Sequence, residues 1–173
     1  MEAGESENVG TGGGLRYITE ESSIDVVNQE YSYSCQAACA RQLLRDAGVS
    51  ISEDELLDVS GYIEDYGTTA ECTAPVLDGL HPRLGYKGGT VSREDAAILF
   101  RRDPWIASLK TYHGTVHAVI VDALEGTIVH VRDPWGLAGP GSGSGSKATM
   151  LLNDFLEHWH WSLYKAVFPN RRK

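Results

Sequence analysis

The order of the predicted elements indicates an α+β fold, with helices in the first half of the chain and an antiparallel sheet in the second. Residues 34–100 carry helical periodicity and capping signals, whereas residues 105–168 carry short β-rich runs bounded by turn residues. Because helices and strands do not alternate, a parallel βαβ arrangement is disfavoured. The chain has 173 residues, which is enough for one domain with a sizeable core.

The N-terminal segment is acidic, rich in glycine and poor in apolar side chains. Such a composition buries too little surface to fold, so we predict a disordered arm over residues 1–14 and a single domain over residues 15–173. The arm lacks the apolar run of a signal peptide. Residues 15–19 are predicted to be either a short strand or part of the arm.

Four helices are predicted in the first half of the chain. The first begins near Ser34 and ends before Gly48, because its apolar residues follow the i, i+3, i+4, i+7 spacing of an amphipathic helix. The second begins with a capping box formed by Ser52 and Glu55. The second, third and fourth helices are short, and their predicted ranges are 52–59, 74–80 and 92–100. Residues 60–73 are predicted to be mostly loop.

The second half of the chain is predicted to be mainly β-structure. Asn153 is predicted to cap a short helix that ends near His158. The loop over residues 136–146 is rich in glycine and serine, and a loop of this length inside a compact domain is often functional. Four strands are predicted, over residues 105–109, 116–121, 127–131 and 163–168.

The three cysteines, Cys35, Cys39 and Cys72, argue against a disulfide framework and leave at least one free thiol. Cys35 lies at the start of the first helix, where the positive end of the helix dipole favours a thiolate. Cys39 lies one turn further along the helix and is predicted to pack in the core. Cys35 is therefore the candidate nucleophile, and a buried core cysteine is the alternative that its position alone leaves open.

His117 and Asp133 lie on two strands that are predicted to pair as a hairpin. Two loops are compatible with the sequence: a two-residue turn at Glu125 and Gly126, and a three-residue loop that also includes Leu124. The three-residue loop gives one face that is apolar apart from a directly opposed histidine and aspartate, so we favour it. Directly opposed Cβ atoms lie about 4.5–5.5 Å apart, which predicts a histidine–carboxylate hydrogen bond. A purely structural hydrogen bond is the alternative.

Residues close to these three in sequence supply further candidates. A tetrahedral intermediate needs donors that point at its oxyanion, and the Cys35 backbone N–H and the Gln29 side-chain amide would supply two. Tyr33 and Trp135 are predicted to line a substrate cleft, and Trp135 is also predicted to shield the histidine–aspartate pair from water. Attack by a thiolate requires no metal and no organic cofactor, and the cysteine spacing does not indicate a zinc site.

Gln29 placed six residues before Cys35, His117 at the opening of a strand, and the run Asp133-Pro134-Trp135 together resemble papain-like cysteine peptidases. The resemblance covers roughly residues 24–168. It is closest to the bacterial peptidases that cleave double-glycine leader peptides from bacteriocins. The chain is also similar to papain-like toxin and effector domains that bacterial secretion systems deliver. The resemblance implies a papain-like fold, in which the nucleophile helix packs on the antiparallel sheet.

The same resemblance implies cleavage of a protein through a thioester on Cys35, after small residues such as Gly-Gly. It implies that His117 shuttles the proton, that Asp133 orients His117, and that Gln29 completes the oxyanion hole. Leader peptidases usually carry Asp-Cys-Gly where this chain has Ser-Cys-Gln, which favours a toxin or effector domain. Two alternatives remain: a deamidase or transglutaminase that uses the same residues on a host or rival protein, and an inactive interaction module.

The implied partners are a protein substrate and, for a toxin, a cognate immunity protein that covers the Cys35 cleft. The formal net charge of -9 argues against nucleic acid or an anionic membrane as a partner. No apolar run approaches the roughly 20 residues that span a bilayer. The likeness to effectors implies synthesis in a bacterial cytoplasm, export by a dedicated secretion system and action in the cytoplasm of a target cell.

Overall fold

The computed structural model describes residues 14–61, 68–101 and 103–170. The arm predicted for residues 1–14 lies outside these ranges except for Gly14, and so does part of the loop predicted at 60–73. The helices are α1 (Cys35–Asp46), α2 (Glu53–Ser60), α3 (Ala70–Leu80), α4 (Arg93–Leu99) and α5 (Leu152–Trp161), with a 3₁₀ turn at Pro82–Leu84. The strands are β1 (Tyr17–Ser23), β2 (Tyr86–Thr90), β3 (Trp105–Lys110), β4 (Val116–Glu125), β5 (Ile128–Asp133), β6 (Gly145–Leu151) and β7 (Lys165–Pro169).

The strands of the described residues form one antiparallel sheet in the order β1-β6-β5-β4-β3-β7-β2. Successive side chains of β3 point to opposite faces of this sheet. Trp105 packs with Phe155 of α5 on one face. Ile106 packs with Leu44 of α1 and Leu77 of α3 on the other. The predicted α+β fold, with the nucleophile helix packed on the sheet, is confirmed.

The local signals at the first two helices correspond to the structure. Ser34 is the N-cap of α1 and Cys35 is its first helical residue. Gly48 follows the helix with a left-handed φ of 86°, as a glycine beyond a helix end commonly does. Ser52 accepts a hydrogen bond from the Glu55 N–H, and the Glu55 side chain accepts one from the Ser52 N–H, which is the predicted capping box.

The hairpin of β4 and β5 has neither of the two predicted loops. Glu125 pairs with Ile128, so the turn consists of Gly126 and Thr127, and the pairing then shifts at a β-bulge on Asp122. The bulge has a visible reason, because Asp122 accepts two hydrogen bonds of 2.8 Å from the Arg132 guanidinium. The direct pairing predicted for His117 and Asp133 is therefore wrong.

The predicted faces of this hairpin are nevertheless right. Beyond the bulge Ile120 pairs with Arg132, which differs from the predicted register by two residues. A shift by two residues keeps each side chain on its face, whereas a shift by one would invert it. Val119 and Val131 accordingly lie in the same core. His117 and Asp133 thus remain on one face, as diagonal neighbours rather than opposed ones.

Several boundaries differ from the prediction, and two strands were missed. α3 begins at Ala70 instead of 74, because the Thr69 side chain caps it. The N-cap of α5 is Leu151, so the predicted capping role of Asn153 is wrong. β7 begins at Lys165 because the two residues before it have positive φ. β2 and β6 were not predicted, since each is rich in small residues that carry a weak strand signal.

Gly145, at the start of β6, has no space for a side chain. A Cβ there would lie 2.5 Å from Val26 Cγ1 and 2.7 Å from the Asp133 carbonyl oxygen. We predict that Gly145→Ala lowers the free energy of unfolding by about 1–3 kcal/mol, as measured by urea denaturation. Gly79→Ala is the matched control, since nothing lies within 4 Å of its Cβ position. Equal stability of the Gly145 variant and the unmodified chain would contradict this packing.

Candidate active site

The segment before α1 positions Cys35 in the first turn of the helix, and reciprocal hydrogen bonds between Tyr31 and Ser34 hold this segment. The Ser34 hydroxyl donates to the Tyr31 carbonyl at 2.9 Å and accepts the Tyr31 N–H at 3.0 Å. The side chain of Cys35 is partly exposed and lines a cleft of about 880 Å³. The thiol therefore lies at a helix start and is open to the cleft.

Glu53, the first residue of α2, also contacts the segment before α1. One of its carboxylate oxygens accepts the Glu30 N–H at 2.8 Å, and its other oxygen is buried without a partner. Burial raises the pKa of Glu53, while the nearby Ser34 side chain and the hydrogen bond from the Glu30 N–H oppose the increase. α2 thus anchors the segment that leads into Cys35.

His117 and Asp133 form a short buried hydrogen bond. His117 Nε2 lies 2.6 Å from Asp133 Oδ1, and the two residues are only 6% and 0% exposed. The Cys35 side chain lies close enough to His117 to contribute to its raised pKa, and both residues line the same cleft. The fold therefore places the thiol beside an imidazole that is bonded to the buried carboxylate.

Asp133 is held by two more donors. The Trp135 backbone N–H donates to Oδ1 at 2.9 Å, and the Tyr17 hydroxyl donates to Oδ2 at 2.7 Å. Burial and the neighbouring Asp133 raise the pKa of Tyr17 well above its usual value, so this hydroxyl keeps its proton. Three donors to the two oxygens of this buried carboxylate fix its orientation.

The electrostatics of the site favour a charged imidazole. Burial lowers the pKa of His117, but the charge and the hydrogen bond of Asp133, with a smaller contribution from Cys35, outweigh burial and raise it to about 10. His117 is therefore protonated at neutral pH. A protonated histidine beside a thiol favours the thiolate, so this arrangement can produce a nucleophile.

Gln29 is buried, but it is not among the residues that line the cleft. Its Nε2 donates to the Tyr31 carbonyl at 2.8 Å, the same carbonyl that accepts the Ser34 hydroxyl. The structure thus fastens Gln29 to the turn before Cys35. It brings Cys35, His117 and Asp133 together, whereas the Gln29 amide nitrogen bonds to backbone and does not line the cleft.

Both aromatic candidates line the cleft. The Trp135 ring stands edge-on to the His117 ring, with centroids 6.1 Å apart, and covers one side of it. Tyr33 stacks on Tyr31 with centroids 5.3 Å apart. The other lining residues are mostly polar and come from helices, from the sheet and from the segments between them; they include Gln36, Thr69, Glu71, Ser108, Thr115, Ser162 and Lys165.

Sequence reasoning missed several residues around the site. Tyr17 is separated from Asp133 by 116 positions, and no local pattern relates the two. Gln36 donates from Nε2 to the Ser108 hydroxyl at 3.0 Å and forms part of the cleft. Its position next to the candidate nucleophile was the one available signal.

The other cysteines and a nearby histidine have different surroundings. Cys39 is buried, and burial raises the pKa of its thiol; Cys72 is exposed and does not line the cleft. His158 Nδ1 donates to the Lys110 carbonyl at 2.7 Å, and its ring packs edge-on against Trp161.

Across residues 14–61, 68–101 and 103–170, no group of three or more histidine, cysteine or acidic residues could hold a metal ion. Among the helices of these ranges, none is both long enough and apolar enough to cross a bilayer.

No protein-family model matches the chain, and no curated protein sequence matches it significantly. Solved structures do match. The peptidase domain of Streptococcus ComA, a bifunctional ABC transporter involved in a quorum-sensing pathway, aligns over 82% of this chain and 94% of that chain, with 18% identity and a TM-score of 0.58. A double-glycine motif protease from an AMS/PCAT transporter, in complex with the leader peptide, aligns over 87% and 93%, with 15% identity and a TM-score of 0.60.

A C39-like peptidase from Bacillus anthracis aligns over 90% of this chain and 99% of that chain, with 13% identity and a TM-score of 0.63. The chain has a papain-like fold. At these low sequence identities, the similarity to the three structures concerns the fold. The resemblance drawn from the sequence around Cys35, His117 and Asp133 is confirmed at that level.

The raised pKa of His117 is directly measurable by NMR of ring-labelled histidine. We predict a midpoint near 10 in the unmodified chain and a large decrease in Asp133→Asn, which loses the carboxylate charge. His158 is the internal reference, because burial lowers its pKa and it lies outside the site. A His117 midpoint near the ordinary value of about 6.5 would contradict the geometry.

The same shift has a consequence for stability. Because the folded-state pKa of His117 is raised, its contribution is fully present below the unfolded value of about 6.5. The contribution is lost as the pH rises through about 10. Thermal unfolding midpoints should therefore fall between these values more steeply in the unmodified chain than in Asp133→Asn.

Proposed function

We propose that this chain is a cysteine peptidase that cleaves a protein substrate through a thioester on Cys35. The observation that carries the proposal is the placement of the Cys35 thiol beside His117, which is bonded to the buried Asp133, at the wall of an open cleft. A thiol at a helix start, a charged imidazole and an oriented carboxylate are the parts that nucleophilic catalysis by cysteine needs.

The proposed reaction has two steps. The Cys35 thiolate attacks the carbonyl carbon of the scissile bond, and His117 gives its proton to the departing amine. A water molecule then attacks the thioester while His117 takes up a proton from it, which releases the carboxylic acid and restores the thiolate. Asp133 keeps its charge throughout and stabilises the protonated imidazole.

The oxyanion of each intermediate requires donors. We assign the backbone N–H of Cys35 as the first, because first-turn N–H groups of a helix have no intrahelical acceptor. We assign Gln29 as the second. Its amide nitrogen carries two hydrogens, of which one is used by the Tyr31 carbonyl. The attachment of Gln29 to the turn before Cys35 supports this role.

The comparison and the cleft support a proposal for the substrate class. The double-glycine motif protease of an AMS/PCAT transporter was solved with a leader peptide, which supports an extended peptide as the substrate here. We propose cleavage after small residues such as Gly-Gly. Tyr33 and Trp135 are the proposed contacts of this peptide at the cleft.

The first test is alkylation by iodoacetamide between pH 5 and 8, with the label located by peptide mass spectrometry. Labelling at pH 5–6 should be confined to Cys35 and lost in His117→Ala. Cys72 is an exposed thiol outside the cleft and serves as the internal control, since an ordinary thiol has a pKa of about 8.5 and reacts slowly at this pH. Equal labelling of Cys35 and Cys72 would favour an inactive interaction module.

The second test uses a peptide library that includes sequences with Gly-Gly. Cleavage should fall by about 10³-fold or more in Cys35→Ala and stay unchanged in the control Cys72→Ser. Mass spectra of intact peptides separate the rival reactions, because a deamidase would replace an amide NH₂ by OH without cleavage. A transglutaminase would attach an added amine. Either product in place of cleavage would overturn the peptidase proposal.

We further propose that the domain acts as a bacterial toxin or effector that is exported to a target cell and restrained by an immunity protein. The sequence Ser34-Cys35-Gln36, which departs from the leader-peptidase pattern, supports this role. Expression in a bacterial cytoplasm should slow growth for the unmodified chain and not for Cys35→Ala. Equal growth of both, or no rescue by any neighbouring small open reading frame, would contradict it.

A further inference from the structure

Asn28 makes an unusually complete set of hydrogen bonds for a buried side chain. It is 9% exposed, and both ends of its amide bond to the backbone of residues 134–143. Its Nδ2 shares its two hydrogens among three carbonyls, those of Pro134 at 2.9 Å, Trp135 at 3.1 Å and Gly139 at 3.2 Å. Its Oδ1 accepts the N–H groups of Ser142 at 2.7 Å and Gly143 at 3.0 Å.

The contacts of Asn28 with Pro134 and Trp135 involve the two residues that directly follow Asp133 in the sequence. Asn28 holds Trp135 by its carbonyl, while the N–H of Trp135 donates to Asp133 Oδ1. That carboxylate oxygen is the one bonded to His117 Nε2. A change in the plane of residues 134–135 would therefore rotate the carboxylate relative to the imidazole.

The residue after Asn28 joins the same two segments. The Gln29 N–H donates to the Pro134 carbonyl at 2.8 Å, and the Gln29 carbonyl accepts the Gly141 N–H at 2.9 Å. The segment that carries the proposed oxyanion donor and the segment that carries the acid are thus clamped together at Asn28 and Gln29. This clamp fixes the distance between two parts of the proposed machinery that come from opposite ends of the chain.

Only a carboxamide of this length satisfies both sides of the clamp. Aspartate has the same shape but is an acceptor only, so Asn28→Asp would place a charged oxygen against the three carbonyls. We infer that Asn28 is a positioning residue that sets the orientation of Asp133 and hence of His117. This inference rests on the proposed function, in which that orientation controls catalysis.

The test compares Asn28→Asp and Asn28→Ser with Asn153→Asp. Asn153 is exposed on α5, so this control makes the same change of amide to carboxylate away from the site. Both Asn28 variants should keep the far-UV circular dichroism of the fold. We expect the NMR midpoint of His117 to fall by about one pH unit or more. For a peptide identified in the library, kcat should fall about 10–100-fold with a smaller change in KM.

Three results would overturn the inference. The first is an unchanged His117 midpoint and unchanged kcat in both Asn28 variants. The second is loss of the fold, and the third is a uniform loss of activity with an unaltered His117 midpoint; either of these would make Asn28 a structural residue only. The control Asn153→Asp should match the unmodified chain in every readout.

Failure of the proposed function would look different. Unselective labelling of Cys35 in the unmodified chain would overturn the peptidase proposal, yet the NMR midpoint of His117 would still report whether Asn28 sets the geometry of the histidine–aspartate pair. Selective labelling of Cys35 together with an unchanged His117 midpoint in the Asn28 variants would support the peptidase proposal and contradict the positioning role of Asn28.

Discussion

The buried hydrogen bond between His117 and Asp133 is the interaction on which the rest of the site depends. Burying two charged groups is costly unless they are paired and every remaining lone pair is satisfied. The fold meets this requirement with three donors on one carboxylate: His117 from β4, Tyr17 from β1 and the Trp135 backbone beyond β5. Tyr17 is separated from Asp133 by 116 positions in the sequence, so the full set of donors exists only in the assembled sheet.

The proposed role of Cys35 requires a thiolate in an acidic protein, and the charge of the histidine–aspartate pair bears on this requirement. The chain has a formal net charge of -9, which disfavours a further negative charge at its surface. At the cleft, however, the thiol faces a protonated His117 and the first turn of α1, and both act over short distances in a partly desolvated site. Asp133 does not oppose this local field, because its charge is compensated by the imidazole and by two further donors.

Local signals in the sequence predict the parts of the site that depend on neighbours in the chain. The start of α1 at Cys35 follows from its periodicity, and the capping box at Ser52 follows from its spacing. The register of the β4–β5 hairpin, in contrast, is not determined by local signals. Alternation with a period of two defines the faces of β4 and β5, but it does not distinguish registers that differ by two residues. The bulge at Asp122 depends on Arg132 across the sheet, and the approach of Tyr17 to Asp133 depends on the strand order.

The segment rich in glycine and serine after Asp133 shows how composition can be misleading. Its sequence is typical of a flexible linker, and it was predicted as a loop through residue 146. In the structure, β6 begins at Gly145, and the residues before it are wound tightly around the Asn28 amide. Glycine is required there for two physical reasons: a Cβ on Gly136 would lie 2.3 Å from the Ser144 carbonyl oxygen, and Gly143 donates to Asn28 from a φ of 98°.

Small residues in this segment therefore permit close backbone contact instead of motion. The contact is useful because N–H and carbonyl groups that would otherwise face water are turned inward onto one buried side chain. A loop held in this way fixes the backbone on the C-terminal side of Asp133 as firmly as β5 fixes the N-terminal side. The orientation of the acid, and through it that of the imidazole, then follows from backbone geometry on both sides of a single residue.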